Sequence, residues 1–223
     1  MSLNNQVVLV IGATGVVGSG VVRKYLDAGA QVVGVSRSQE KLDQLREQFH
    51  IAASENFSSV VADLKDEAAA EQAHAAVTAV LSGKPIFHIV SVQGFAAVTK
   101  APTATSLDAM KDALADGLFN NFLAAKVFLP ALKDRAGTSF TLVSGGLAHI
   151  PPPSPALWLG TVKNAALNAL SNALASETAQ SQVRVNTICI HFGVAPVGGN
   201  KNQFGMNADG DTLRLAPAFL AVA

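Results

Sequence analysis

Five apolar residues in a row, Val7-Val8-Leu9-Val10-Ile11, run straight into Gly12-Ala13-Thr14-Gly15-Val16-Val17-Gly18. A run with no polar alternation suits a strand buried on both faces, and such strands belong to parallel sheets. The stretch from there to Asp27 and Gly29 reads as a helix, and Gln31-Val32-Val33-Gly34-Val35-Ser36 is a second apolar strand closing a βαβ unit. Glycines spaced this way between strand and helix make a tight turn and let the backbone approach a pyrophosphate. The helix N-terminus then offers free N–H groups to that charge. In this context the motif predicts dinucleotide binding, with Gly12, Thr14, Gly15, Val16, Val17 and Gly18 around the phosphates.

The end of the second strand bears on which dinucleotide is bound. A carboxylate there would accept hydrogen bonds from a free ribose 2′-OH. This chain has Ser36, Arg37 and Ser38 instead. A hydroxyl and a guanidinium suit a 2′-phosphate, which arginine can meet with two charge-assisted bonds. NADP(H) is therefore the expected cofactor; the plainer alternative is that Arg37 is a solvated residue opening the next helix.

Nearly half of the 223 residues are hydrophobic, 14% are charged, and the formal net charge is zero. That balance gives no electrostatic case for nucleic acid or for an anionic membrane, and it favours self-association. One cysteine, Cys189, sits in an apolar run, so no disulfide can form within the chain and a reducing compartment is the default. It reads as a core thiol. No secretory signal pattern and no run long enough to span a bilayer are present, so a soluble cytoplasmic protein is expected. No metal site is expected.

Strands and helices alternate further on. Val60-Val61-Ala62 reads as a short strand ending at Asp63, followed by a helix from about Asp66 to Leu81. Pro85 to Val90 is a strand ending in Ser91-Val92-Gln93-Gly94, and a long helical region is expected from about Ser106 to Lys133. Ser139 to Val143 is a fifth strand running into Ser144-Gly145-Gly146, a helix spans about Leu157 to Ala179, and Val183 to Ile190 is a sixth strand. The alternation predicts an α/β fold with a doubly wound parallel sheet of Rossmann type. With no linker or repeat, residues 1–223 read as a single domain.

On these residues the chain resembles the short-chain dehydrogenase/reductase family over nearly its whole length. Gly12-x-x-Gly15-x-x-Gly18 is similar to the spacing of the family's extended and atypical branches. Asp63, flanked by Ala62 and Leu64, matches the family's adenine-holding aspartate. Ser91-Val92-Gln93-Gly94 stands where the family usually shows Asn-Asn-Ala-Gly. Lys126 with Leu129-Pro130, and Val183-Arg184-Val185-Asn186, match the end of the family's central helix and the entry to its sixth strand.

The resemblance implies hydride transfer between a nicotinamide cofactor and a small carbonyl or alcohol. In the family this uses a Tyr-x-x-x-Lys pair, a serine, and often an asparagine. Tyrosine and lysine four apart share a helical face, so the ammonium lowers the phenol's pKa. Here Lys163 fits the lysine and Ser144 the serine, but Leu159 holds the tyrosine position. The one tyrosine, Tyr25, is on the first helix. The asparagine position is Gly117, with Asn120 and Asn121 one turn later. The resemblance also gives Lys163 a second role, binding the nicotinamide ribose.

Three readings follow. The protein is an oxidoreductase with another proton donor, such as His149, His191, Ser144 or a water held by Lys163; or a silent NADP(H)-binding sensor or scaffold; or a silent subunit paired with an active relative. Losing one general acid costs about 10²–10⁴ in rate. Apolar Phe95, Leu147, Ile150, Trp158 and Phe192 hint at an apolar substrate, though core packing explains them as well. The segment after Gly198-Gly199 is short for a lid, and its apolar end, Ala218 to Ala223, is expected to dock as a strand or helix. Apolar positions Leu107, Met110, Leu114, Leu118, Phe122, Ala125 and Leu129 give the central region a broad apolar face. The resemblance implies a homodimer or homotetramer through it.

Overall fold

The computed structural model describes residues 2–51, 56–94, 100–133, 135–191, 193–201, 207–208 and 210–223. Its main sheet has strands β1 (Val7–Ile11), β2 (Gln31–Ser36), β3 (Phe57–Val61), β4 (Ile86–Ser91), β5 (Ser139–Gly145) and β6 (Arg184–Ile190). They lie in the order β3-β2-β1-β4-β5-β6, and every pairing is parallel. This is the doubly wound arrangement expected from the alternation of elements.

Helices cover both faces. On one side α3 (Glu67–Leu81), α5 (Asn120–Phe128) and α6 (Trp158–Glu177) bury Ala70, Ala73, Val77, Leu123, Phe128 and Leu174 against Leu9, Ile11, Ile89 and Phe140. On the other, α1 (Val16–Asp27) and α2 (Gln39–Gln48) pack Val21, Val22, Tyr25 and Leu45 against Val8, Val10, Val32 and Val90. Alternate residues of β1 thus feed opposite cores, which is why the strand shows no polar position.

Strand β3 begins three residues earlier than the sequence suggested and ends at Val61, leaving Ala62 in the loop. Two serines hide its start, yet Ser58 and Ser59 pair with Val33 and Gly34. An edge strand tolerates them because part of it faces solvent. The expected long helix from Ser106 to Lys133 is broken instead. It comprises α4 (Leu107–Leu114), a π turn (Ala115–Phe119), α5, and a 3₁₀ turn (Leu129–Leu132) holding Pro130. Pro130 lacks the N–H that would continue an α-helix.

The last residues fold back as α7 (Thr212–Leu215) and α8 (Pro217–Ala221), beside the two-stranded pair β7 (Val194–Ala195) and β8 (Gly210–Asp211). Tyr25 Oη donates to the Phe219 carbonyl at 2.9 Å, and Phe219 is fully buried. Gly20 makes this docking possible, since a Cβ there would lie 2.2 Å from Thr212 Oγ1. No helix among the described residues is long and apolar enough to cross a membrane.

Candidate functional site

The chain turns from β1 toward β2 and β3 on one side and toward β4 on the other, so a crevice opens at the carboxyl ends of β1 and β4. A cleft of about 210 Å³ lies there. Gly12, Thr14, Gly15, Ser36, Arg37, Ala62, Asp63, Leu64, Gln93 and Gly94 line it, ten of the residues expected to hold a cofactor.

The glycine turn has the shape its spacing implied. Gly12 has φ +86°, and a Cβ there would fall 2.1 Å from the Val92 carbonyl oxygen. A Cβ at Gly18 would fall equally close to the Gly12 carbonyl oxygen, so its absence lets α1 lie against the turn. Gly15 caps α1 without a side-chain bond, and no acidic residue occupies the first turn. The first helical N–H groups, on Val16, Val17 and Gly18, thus have no capping carboxylate competing with an incoming anion. The Val17 and Gly18 side positions serve the wall rather than the cleft: Val17 packs against the second core, and Gly18 permits the helix–turn contact.

At the end of β2, Thr14 Oγ1 and Ser36 Oγ are 2.8 Å apart, and the Ser38 N–H donates to Ser36 Oγ at 3.4 Å. Arg37 reaches across the cleft to Asp116 of the π turn, Nη1 to Oδ1 3.6 Å. Lys41 also lines the cleft. Sequence reasoning missed it, although its place four residues after Arg37 was a usable signal. Asp63 turns inward on itself, its Oδ1 accepting from the Leu64 N–H at 2.8 Å.

The floor is a polar network. Ser91, fully buried, donates through Oγ to Asn121 Oδ1 at 2.7 Å. Asn121 Nδ2 donates to the carbonyls of Gln93 and Gly117. Gln93 Nε2 donates to Ser91 Oγ and to the Asn120 carbonyl. With its nitrogen turned toward them, the Asn120 amide donates to the carbonyls of Leu64 (2.9 Å) and Ala115 (3.0 Å). Ser91 and Gln93 therefore spend their side chains on bracing the end of β4 against the start of α5, a role their type alone did not disclose.

Lys163 lies just beyond. Its Nζ donates to the Gly94 carbonyl at 3.0 Å, and burial lowers its pKa against the opposing pull of the Asp116 charge. Gly117 gives its stem room: a Cβ there would sit 2.1 Å from Lys163 Cδ. Gly94, at φ +77°, presses on the Asp116 carbonyl, so Gly94, Asp116, Gly117 and Lys163 interlock. Ser144 is 4% exposed, and its Oγ donates to the carbonyl of Asn164, the residue after Lys163. The structure thus brings Ser144 and Lys163 to the same helix but gives each a backbone carbonyl partner.

The other candidates separate. Leu159 is 1% exposed. Tyr25 is buried in the opposite core, its pKa raised by desolvation, far from the cleft. His149 and His191 come together with parallel rings, centroids 5.9 Å apart, beside Cys189. Cys189 is half-buried rather than a sealed core thiol. Phe95 and Phe192 lie outside the described residues.

Three comparisons bear on this arrangement. A family model described as short chain dehydrogenase matches residues 6–203. A tropinone reductase homolog from Arabidopsis thaliana is 26% identical over 204 residues, 91% of this chain and 74% of that protein. A Serratia marcescens short-chain dehydrogenase/reductase superposes with a TM-score of 0.83 at 19% identity, over 100% of this chain and 93% of that one. A Pseudomonas aeruginosa PAO1 short-chain oxidoreductase, described as containing an atypical catalytic center, gives 0.83 at 22% identity, over 100% and 92%.

Proposed function

The chain belongs to the short-chain dehydrogenase family, and from that premise we propose that it is an NADP(H)-binding oxidoreductase whose proton donor is not a tyrosine. The observation that carries the cofactor choice is the pair of cations, Arg37 and Lys41, lining the cleft beside Ser36. A 2′-phosphate fits between a hydroxyl and two cations; a bare ribose diol would leave them unused. The residues that suit the rest of the nucleotide are the first turn of α1 for the pyrophosphate and Asp63 with Leu64 for the adenine.

The substrate half departs from the family. Leu159 supplies no proton, so carbonyl reduction draws its proton from another group or from water. Hydride transfer itself needs only a posed nicotinamide. The reading is a reductase of small carbonyl compounds with weak turnover. The relative described as having an atypical catalytic center supports the idea that the fold carries chemistry without the usual set.

One observation favours a silent binding protein instead: Ser144 and Lys163 both bond to backbone carbonyls rather than to one another. A single experiment separates the readings. Purified protein is denatured and the released nucleotide identified, and fresh protein is then given NADPH with a panel of simple ketones and quinones. NADP(H) released and slow oxidation of NADPH support the reductase. NADP(H) without turnover supports the silent binder. NAD(H) released, or turnover at ordinary enzyme rates of about 10 per second, overturns the proposal.

A further inference from the structure

His149, Cys189 and His191 offer two imidazoles and a thiol whose ligand atoms all lie within 4.8 Å of one another. They come from different elements. His149 follows the turn at Gly146–Ala148, Cys189 is on β6, and His191 comes just after that strand. Gly146 holds the group together. The His149 N–H donates to its carbonyl at 3.0 Å, and His191 Nδ1 rests where a Cβ would stand, at 2.7 Å. Asn168 Nδ2 reaches His149 Nε2 at 3.3 Å and orients that ring. Both histidines are exposed, so an ion has a path in.

We propose that His149, Cys189 and His191 form a binding site for a borderline-soft divalent cation, of which zinc is the type. The donor set is nitrogen and sulfur with no carboxylate, which selects against magnesium and calcium and for zinc. Three protein ligands leave a fourth position open, the pattern of sites that bind a water or a substrate rather than purely structural ones. Tetrahedral coordination at zinc's usual bond lengths needs ligand atoms about 3.3–3.6 Å apart. The widest gap must therefore close by up to about 1.5 Å, which two exposed rings can do. The Cys189 thiol, which burial keeps protonated, gives up its proton on binding.

The site adjoins the reductase machinery. Cys189 is the register partner of Ser144 on the neighbouring strand. Where the reductase reading holds, the ion stands in for the missing phenol. Held by His149, Cys189 and His191, such an ion would supply Lewis acidity to a carbonyl oxygen placed beside Ser144, the role the phenol plays elsewhere, with solvent as the source of the proton.

The test is made on the whole chain, reduced, stripped with chelator and returned to buffer. Zn²⁺ alone is measured by equilibrium dialysis, and Co²⁺ by the near-ultraviolet thiolate-to-cobalt charge-transfer band. One equivalent of Zn²⁺ and a cobalt band are expected. Cys189→Ser should abolish the band, and His149→Gln, at an exposed position, should weaken Zn²⁺ binding about tenfold or more. His74→Gln, on α3 beside Phe128 and outside the cluster, should leave both intact. No band, or Zn²⁺ binding unchanged by Cys189→Ser and His149→Gln, overturns the site. NADPH titration of the same samples keeps the readings apart: nucleotide bound without metal sinks only this site, while metal bound without turnover sinks only the reductase role.

Discussion

Arg37 offers the sharpest test of cofactor choice. Its guanidinium is 67% exposed and sits 3.6 Å from Asp116, itself 38% exposed. Charge-assisted bonds to a phosphate contribute about 1.5–3 kcal/mol. An incoming 2′-phosphate must first displace Asp116, and an exposed ion pair of this kind is worth about 0–1 kcal/mol. The difference leaves about 0.5–3 kcal/mol for Arg37, or roughly 2- to 150-fold in NADPH affinity. Arg37→Ala should lose that much for NADPH and almost nothing for NADH. Asp116→Asn should act in the opposite sense, tightening NADPH by up to about fivefold, because the guanidinium is released to the ligand. Added salt should narrow both effects, since the groups are solvated. Calorimetric titration of both nucleotides against the three proteins reads all of this. An equal loss for NADH and NADPH in Arg37→Ala, or a wild type that prefers NADH, would refute the reasoning.

Three further outcomes are expected. His88 is buried between Ser139 Oγ and Gln6 Oε1, and desolvation, with Arg184 nearby, lowers its pKa to about 4 from 6.5. The unfolded chain therefore takes up the proton first, so stability is full above about pH 6.5 and falls by about 3 kcal/mol toward pH 4. Urea unfolding across that range should be flatter in His88→Gln, and equal slopes would count against it. Phe219→Ala should cost about 3–5 kcal/mol of unfolding free energy; a loss under about 1 kcal/mol would mean the docked tail is not part of the core. Leu107, Phe119 and Phe122 stay exposed on α4, the π turn and α5. Light scattering should give a dimer or tetramer that Phe122→Glu dissociates, and a wild-type monomer at micromolar concentration ends that expectation.

Legibility followed the range of the interactions. Strands β1, β2 and β4 announced themselves because burial on both faces leaves a local apolar run, and β5 and β6 through the apolar residues set between their polar ones. The glycine turn was equally plain, its demands being met within seven residues. Strand β3 was half hidden because an edge position tolerates serine. The π turn left no mark, since Ala115-Asp116-Gly117-Leu118-Phe119 is as good a helix by pattern as its neighbours. It becomes necessary only where Gly94 and Lys163 press on it. The gathering of His149 with Cys189 and His191 spans forty residues of chain and depends on how β6 ends beside the turn after β5. Nothing in the spacing of those residues could reveal it.

The contact between Gly117 and Lys163 makes two distant positions behave as one. The lysine stem runs through the volume where a side chain at position 117 would begin, so a larger residue there must push the stem aside. The bond from Lys163 Nζ to the Gly94 carbonyl is then reset with it. Neither position can be varied alone, because a change at one is read out at the other.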